Sequence, residues 1–123
     1  MIDMKKRLLW LDDKRNPFEN NWLKFSPIEM PFETIWVKNY NEFISWIKEN
    51  GLPDAICFDH DIEDFSGLNG EELRGIDCAK WLVEYCLDNN LNVPRWNTQS
   101  SNPSGADNIN GLLLSFMKNV TTI

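Results

Sequence analysis

The stretch "LPDAICFDHD", residues 52–61, predicts a buried strand that ends in acidic residues. Its apolar run, AICF, is continuous and does not alternate with polar residues, which is typical of a strand covered on both faces. The stretch "RLLWLDD", residues 7–13, has the same form, an unbroken apolar run followed by two acids. Two strands of this kind favour a parallel sheet within an α/β fold.

The remaining patterns supply helices and further strands. Apolar residues at helical spacing predict helices over 40–51, 76–90 and 102–120, and weaker patterns predict strands over 32–39 and 93–99. Residues 14–31 contain three prolines and no clear period, so they are predicted to be an irregular connection with at most one helical turn. The alternation predicts a single domain over residues 1–123, a three-layer α/β sandwich with a short, mostly parallel sheet of about four strands.

Two helix boundaries have candidate signals. Asn41 is a candidate cap for the first helix, and Gly51 is its expected end. Asn102 followed by Pro103 has the form of a cap and a first helical position.

Composition narrows the partners and the compartment. The chain has 123 residues and a formal net charge of −7, which disfavours binding to duplex nucleic acid. No apolar stretch approaches the length of a membrane span. Cys57, Cys78 and Cys86 lie in apolar strand or helix patterns without metal-ligand spacing, so we expect reduced core thiols and a cytoplasmic protein.

Three predicted strands end in polar clusters, at 12–13, 59–61 and 99–102. Parallel α/β sheets bind ligands beyond the carboxyl ends of their strands, so these clusters define a candidate site. Asp12, Asp13 and Asp59 would bring three carboxylates together, and a hard cation such as Mg²⁺ would relieve their repulsion. The alternative is that these acids cap loops and face water.

The other candidate residues offer acid–base chemistry and anion binding. His60 is the only histidine, and histidine is the residue type best suited to proton transfer near neutral pH. It is therefore a candidate general acid or base; alternatively it orders the loop. Because side chains alternate along an extended segment, His60 need not contact the neighbouring acids. Gln99, Ser100 and Asn102 precede a helix start that suits an anion. Arg15 would bind a phosphate or pair with the acids.

The motifs taken together resemble the cyclic-phosphate-processing receiver family. They are "LLWLDDKRNP" (8–17), "ICFDHDIEDFSG" (56–67), "GIDCAKWL" (75–82) and "SSNPSGADNI" (100–109). The match runs through nearly the whole chain in order and is weakest over residues 18–54. The resemblance implies a receiver-like, flavodoxin-like arrangement.

The resemblance also implies a function. It implies a metal-assisted phosphoesterase that hydrolyses a cyclic phosphate on a small nucleotide or an RNA end, in RNA repair or in the nucleotide signalling of bacterial or phage conflict. Asp13, Asp59 and His60 would be catalytic, and Mg²⁺ would bind Asp12, Asp13 and Asp59. The phosphate would be bound by Arg15, Gln99, Ser100 and Asn102. The alternatives are a binding module without turnover and a signalling domain phosphorylated on Asp59.

Two departures from the family pattern bear on these alternatives. The closing motif usually begins with histidine, and here Gln99 stands in that place. Glutamine cannot shuttle a proton at neutral pH, which favours binding without turnover. Ordinary receivers also carry a lysine after a fifth strand, whereas Lys118 is predicted to lie late in the last helix, which disfavours phosphorelay signalling.

Overall fold

The structure, a computed structural model, describes residues 5–121, with side chains to residue 118. Residues 1–4, 122 and 123, which complete the predicted domain, lie outside this part. The strands are β1 (Lys6–Leu11), β2 (Phe32–Val37), β3 (Ala55–Phe58) and β4 (Arg95–Thr98). The helices are α1 (Tyr40–Asn50), α2 (Gly75–Asn89) and α3 (Pro103–Thr121), and short 3₁₀ turns cover Trp22–Phe25 and Leu68–Gly70.

The four strands form one parallel sheet in the order β2-β1-β3-β4. In its register, Leu11 pairs with Val37 and with Phe58, and Phe58 pairs with Thr98. The strands therefore end level with one another. The residues that follow β1, β3 and β4 meet at one edge of the sheet, as the sequence predicts.

The two faces of the sheet are covered by different kinds of structure. Leu9, Leu11, Ile56 and Phe58 belong to a core that includes residues of all three helices. On the opposite face, Leu8, Trp10, Ala55 and Cys57 pack with side chains of the irregular segment that joins β1 to β2. Both faces of the sheet are thus buried, which explains the unbroken apolar runs of β1 and β3.

The predicted fold class is confirmed: the sheet is all-parallel with three helices, an α/β receiver-like fold. Residues 14–31 are irregular apart from one 3₁₀ turn, also as predicted. One cap differs. The side chain of Asn39, not Asn41, accepts a hydrogen bond from the backbone of Glu42, and α1 begins at Tyr40.

The cysteines behave as the sequence indicates. Cys57, Cys78 and Cys86 are free and buried. Burial raises the pKa of Cys57 to about 12 and that of Cys86 to about 11, so neither is a reactive thiolate near neutral pH. Among the described helices, none combines the length and apolarity that crossing a membrane requires.

Candidate functional site

A polar pocket of about 270 Å³ lies at the carboxyl ends of β1 and β3. It is lined by five acids, two basic residues and one serine: Asp12, Asp13, Asp59, Asp61, Glu63, Lys14, Arg15 and Ser101. Because acids outnumber basic residues, an anionic ligand would be repelled unless a cation accompanied it. Lys14 and Glu63 pair with each other at 2.8 Å and are exposed.

Asp12 is fixed by the turn that follows β1. Its side chain is fully buried, and its Oδ1 accepts hydrogen bonds from the backbone N–H groups of Lys14 (3.0 Å) and Arg15 (2.9 Å). Its carbonyl oxygen accepts a hydrogen bond of 2.7 Å from Trp36 Nε1. The carboxylate is therefore held in place before any ligand arrives.

Arg15 is anchored against the acids. Its Nη1 atom lies 3.2 Å from Asp12 Oδ2 and 3.6 Å from Asp59 Oδ1. Its guanidinium carbon lies 5.0 Å from the ring centroid of Trp22, and its carbonyl oxygen accepts a hydrogen bond of 3.0 Å from Trp10 Nε1. Of the two roles that the sequence left open for Arg15, pairing with the acids is the one seen here.

Three carboxylates meet in this pocket. Asp12, Asp13 and Asp59 each offer an oxygen, and these atoms lie within 4.8 Å of one another. Burial first, and then the nearby charge of Asp12, raises the pKa of Asp59 to about 7, although Arg15 opposes the shift. Burial also raises the pKa of Asp13. A close set of hard oxygen donors in need of positive charge fits a divalent cation such as Mg²⁺.

His60 does not line the pocket, but it contacts Asp61, which does. Its Nδ1 atom is 3.0 Å from Asp61 Oδ1, a contact that the expected alternation of side chains did not require. The strand ends at Phe58, so that alternation does not extend this far. Asn102 donates to Asp61 Oδ2 at 3.2 Å. Burial tends to raise the pKa of Asp61, but the hydrogen bonds from His60 and Asn102 outweigh it, and the pKa is lowered.

Two glycines allow the elements to approach closely here. A β-carbon at Gly105, in the first turn of α3, would overlap the imidazole ring of His60. A β-carbon at Gly75, at the start of α2, would overlap the carbonyl group of Asp59. The backbone N–H of Gly75 also donates to the carbonyl oxygen of His60 at 2.7 Å. The helix starts therefore fix the segment that carries Asp59 and His60.

In the segment after β4, Gln99 is buried and Ser101 lines the pocket. Gln99 is buried, and its Nε2 donates to the carbonyl oxygen of Leu11 at 3.0 Å. Ser100 Oγ accepts a hydrogen bond of 3.0 Å from the backbone of Asn102. Asn102 Oδ1 accepts one of 3.0 Å from the backbone of Gly105, so Asn102 caps α3 as predicted. Of this segment, only Ser101 lines the pocket.

The predicted site residues thus fall into two groups. Those that line the pocket are Asp12, Asp13, Arg15 and Asp59. Those that do not line it are His60, Gln99, Ser100 and Asn102. Sequence reasoning missed four lining residues, Lys14, Asp61, Glu63 and Ser101, although each lies within four residues of a predicted one.

The parallel sheet, the pair of acids beyond its strand β1 and the single Asp59 beyond β3 define an α/β receiver-like domain. A family model, the cyclic-phosphate processing receiver domain, matches residues 7–115, and the chain belongs to that family. Neither a curated protein nor a solved structure shows significant similarity to the chain.

Proposed function

We propose that this protein hydrolyses a cyclic phosphate carried by a small nucleotide or by an RNA end. The observation that supports the proposal most strongly is the convergence of Asp12, Asp13 and Asp59 on one pocket in a chain of this family. Chemistry on phosphate esters needs positive charge near the phosphoryl oxygens, and a close carboxylate set is the usual way to hold it as a metal ion.

Asp12, Asp13 and Asp59 would hold a divalent cation such as Mg²⁺. When bound, the cation would neutralise the phosphoryl oxygens and lower the pKa of a bound water. Lys14, which is exposed and lines the pocket, can turn from Glu63 towards an anion at little cost because a solvent-exposed ion pair is weak. Ser101, which also lines the pocket, offers a hydroxyl donor.

The test is turnover of cyclic phosphates. The purified protein is incubated with RNA ending in a 2′,3′-cyclic phosphate, with cyclic nucleotides and with cyclic ADP-ribose-type phosphates, each with and without Mg²⁺. Ring opening that needs the cation and disappears in Asp59→Asn supports the proposal. Asp107→Asn is the matched control, since Asp107 is an exposed acid on α3 that does not line the pocket. Absence of turnover on all substrates would refute hydrolysis.

Binding without turnover is the second candidate, and Gln99 favours it. The family pattern has histidine at this place, whereas the Gln99 side chain is buried and donates to a backbone carbonyl. A protein of this kind would sequester a cyclic nucleotide or related phosphate. Release of intact ligand after denaturation, in a one-to-one ratio, would support binding and count against hydrolysis.

A signalling role is the least supported. The sheet of the described residues has four strands, so it lacks the fifth strand after which ordinary receivers carry their lysine. The carboxylate of Asp59 is also almost fully buried, at 7% exposure. Covalent labelling of Asp59 by acetyl phosphate would support signalling, and its absence would refute it.

A further inference from the structure

The paired side chains of His60 and Asp61 differ in their access to the pocket. Asp61 lines it, and its side chain is 53% exposed, whereas the side chain of His60 is 10% exposed and packs on Gly105. In the familiar catalytic pairing of the two residue types, the imidazole faces the substrate and the carboxylate lies behind it. Here the order is reversed.

The contact between the two residues fixes where the imidazole proton lies. A carboxylate only accepts hydrogen bonds, so Asp61 Oδ1 at 3.0 Å requires a proton on His60 Nδ1. Asn102 Nδ2, at 3.4 Å from the same nitrogen, is then a second donor and cannot bond to it. Its hydrogen bond goes instead to Asp61 Oδ2. Both carboxylate oxygens of Asp61 therefore accept a hydrogen bond, one from His60 and one from Asn102.

We propose that Asp61 is the catalytic residue that holds and deprotonates the attacking water, and that His60 and Asn102 are positioning residues for its carboxylate. The inference rests on the proposed function. The water oxygen forms a bond to phosphorus as one ring P–O bond breaks. Asp61 takes a proton from the water and returns it to the released oxygen, so that the net change is the addition of one water.

Substitutions at His60 distinguish this proposal from direct acid–base catalysis by the histidine. Asparagine at position 60 can present an N–H group close to the place of Nδ1, whereas alanine cannot. Asp61→Asn should lower kcat by about 100-fold or more, as expected for loss of a general base. His60→Ala should lower kcat substantially, whereas the kcat of His60→Asn should stay within about 10-fold of the wild-type value. A His60→Asn variant that is folded and as inactive as His60→Ala would overturn the proposal.

A second measurement does not depend on turnover, and its decisive result comes from the wild-type protein. Because the chain has one histidine, two-bond ¹H–¹⁵N correlation spectra at alkaline pH report the tautomer of His60 without assignment work. The expected pattern is a protonated Nδ1 and an unprotonated Nε2. In Asp61→Ala the ring should lose this preference, while Asp107→Asn should keep it. A protonated Nε2 in the wild type would overturn the proposal.

The two readouts separate the failure of this proposal from the failure of the proposed function. If no cyclic phosphate is hydrolysed, the proposed function fails together with the catalytic part of this inference. The tautomer of His60 then tests separately whether His60 positions the carboxylate of Asp61. If hydrolysis occurs and Asp61→Asn retains wild-type kcat, the proposed function stands and Asp61 is not the base.

Discussion

Gln99 Nε2 donates a hydrogen bond to the carbonyl oxygen of Leu11, a residue 88 positions away that directly precedes Asp12. The other end of the same amide, Oε1, is the one fully buried side-chain polar atom without a hydrogen-bond partner in the described part of the chain. A buried acceptor without a partner costs about 1–3 kcal/mol, which offsets what the Nε2 bond contributes. The amide group of Gln99 therefore contributes little net stability through its hydrogen bonding.

The first prediction concerns substitutions at Gln99. In Gln99→Met the hydrogen bond and the unpaired oxygen disappear together, so the free energy of unfolding should change by less than about 1 kcal/mol. Gln99→Glu should cost more than about 2 kcal/mol at neutral pH, because it adds a buried carboxylate close to the acidic cluster. Urea unfolding measures both. Equal losses in the two variants would contradict this account.

The strand ends of the site were predictable from sequence because burial on both faces leaves a plain signal. The continuous apolar runs of β1 and β3 locate Asp12, Asp13 and Asp59 as the first polar residues after two strands. A parallel sheet then brings the strand ends together, and the structure places the three carboxylates within reach of one ion. No side-chain detail was needed for that step.

Side-chain direction beyond the strand ends was not predictable. Periodicity no longer applies once the strand has ended, so it could not show that Asp61 faces the pocket or that Gln99 faces the core. Asn39 and Asn41 are both good capping residues two positions apart, and only the start of α1 distinguishes them. The same holds for Ser100 and Ser101, of which the second lines the pocket.

The second prediction is a pH dependence that comes from Asp59. Its folded-state pKa of about 7 is above the unfolded value of about 3.9, so folding favours the protonated form. This contribution to stability is fully present below about pH 4 and is lost as the pH rises through about 7. In buffer that contains a metal chelator, the free energy of unfolding should therefore fall more between pH 5 and pH 8 in the wild type than in Asp59→Asn.

Urea unfolding at several pH values tests this second prediction. Added Mg²⁺ should reduce the loss in the wild type, because a cation that binds the charged carboxylates favours the folded state. It should have less effect on Asp59→Asn. Parallel stability profiles for the two proteins without Mg²⁺ would show that Asp59 titrates normally.

The third prediction concerns Arg15. Its guanidinium lies between two buried carboxylates, so Arg15→Met leaves Asp12 and Asp59 without their nearest positive charge. The metal-free protein should lose about 2 kcal/mol, somewhat less than the cost of breaking a fully buried pair. Mg²⁺ should recover more stability in this variant than in the wild type. Lys14→Met is the control, since its ion pair is exposed and its loss should be small. An equal response to Mg²⁺ in Arg15→Met and in the wild type would contradict the account.

The fourth prediction compares two glycines on α3. In general, replacing a helical glycine by alanine gains about 1 kcal/mol of helix propensity. At Gly111 a β-carbon meets nothing within 4 Å, so Gly111→Ala should raise the free energy of unfolding by about 0.5–1 kcal/mol. At Gly105, in the first turn, a β-carbon would overlap the His60 ring, so Gly105→Ala should lower the free energy of unfolding by about 1–3 kcal/mol.

The same pair of variants tests how α3 holds the site. Because the His60 ring is packed against Gly105, its displacement in Gly105→Ala should also disturb the contact with Asp61. The imidazole nitrogen signals should then move in Gly105→Ala and stay unchanged in Gly111→Ala. Thermal unfolding and the nitrogen spectra of both variants measure this. If Gly105→Ala were as stable as Gly111→Ala with unchanged spectra, α3 would not position His60.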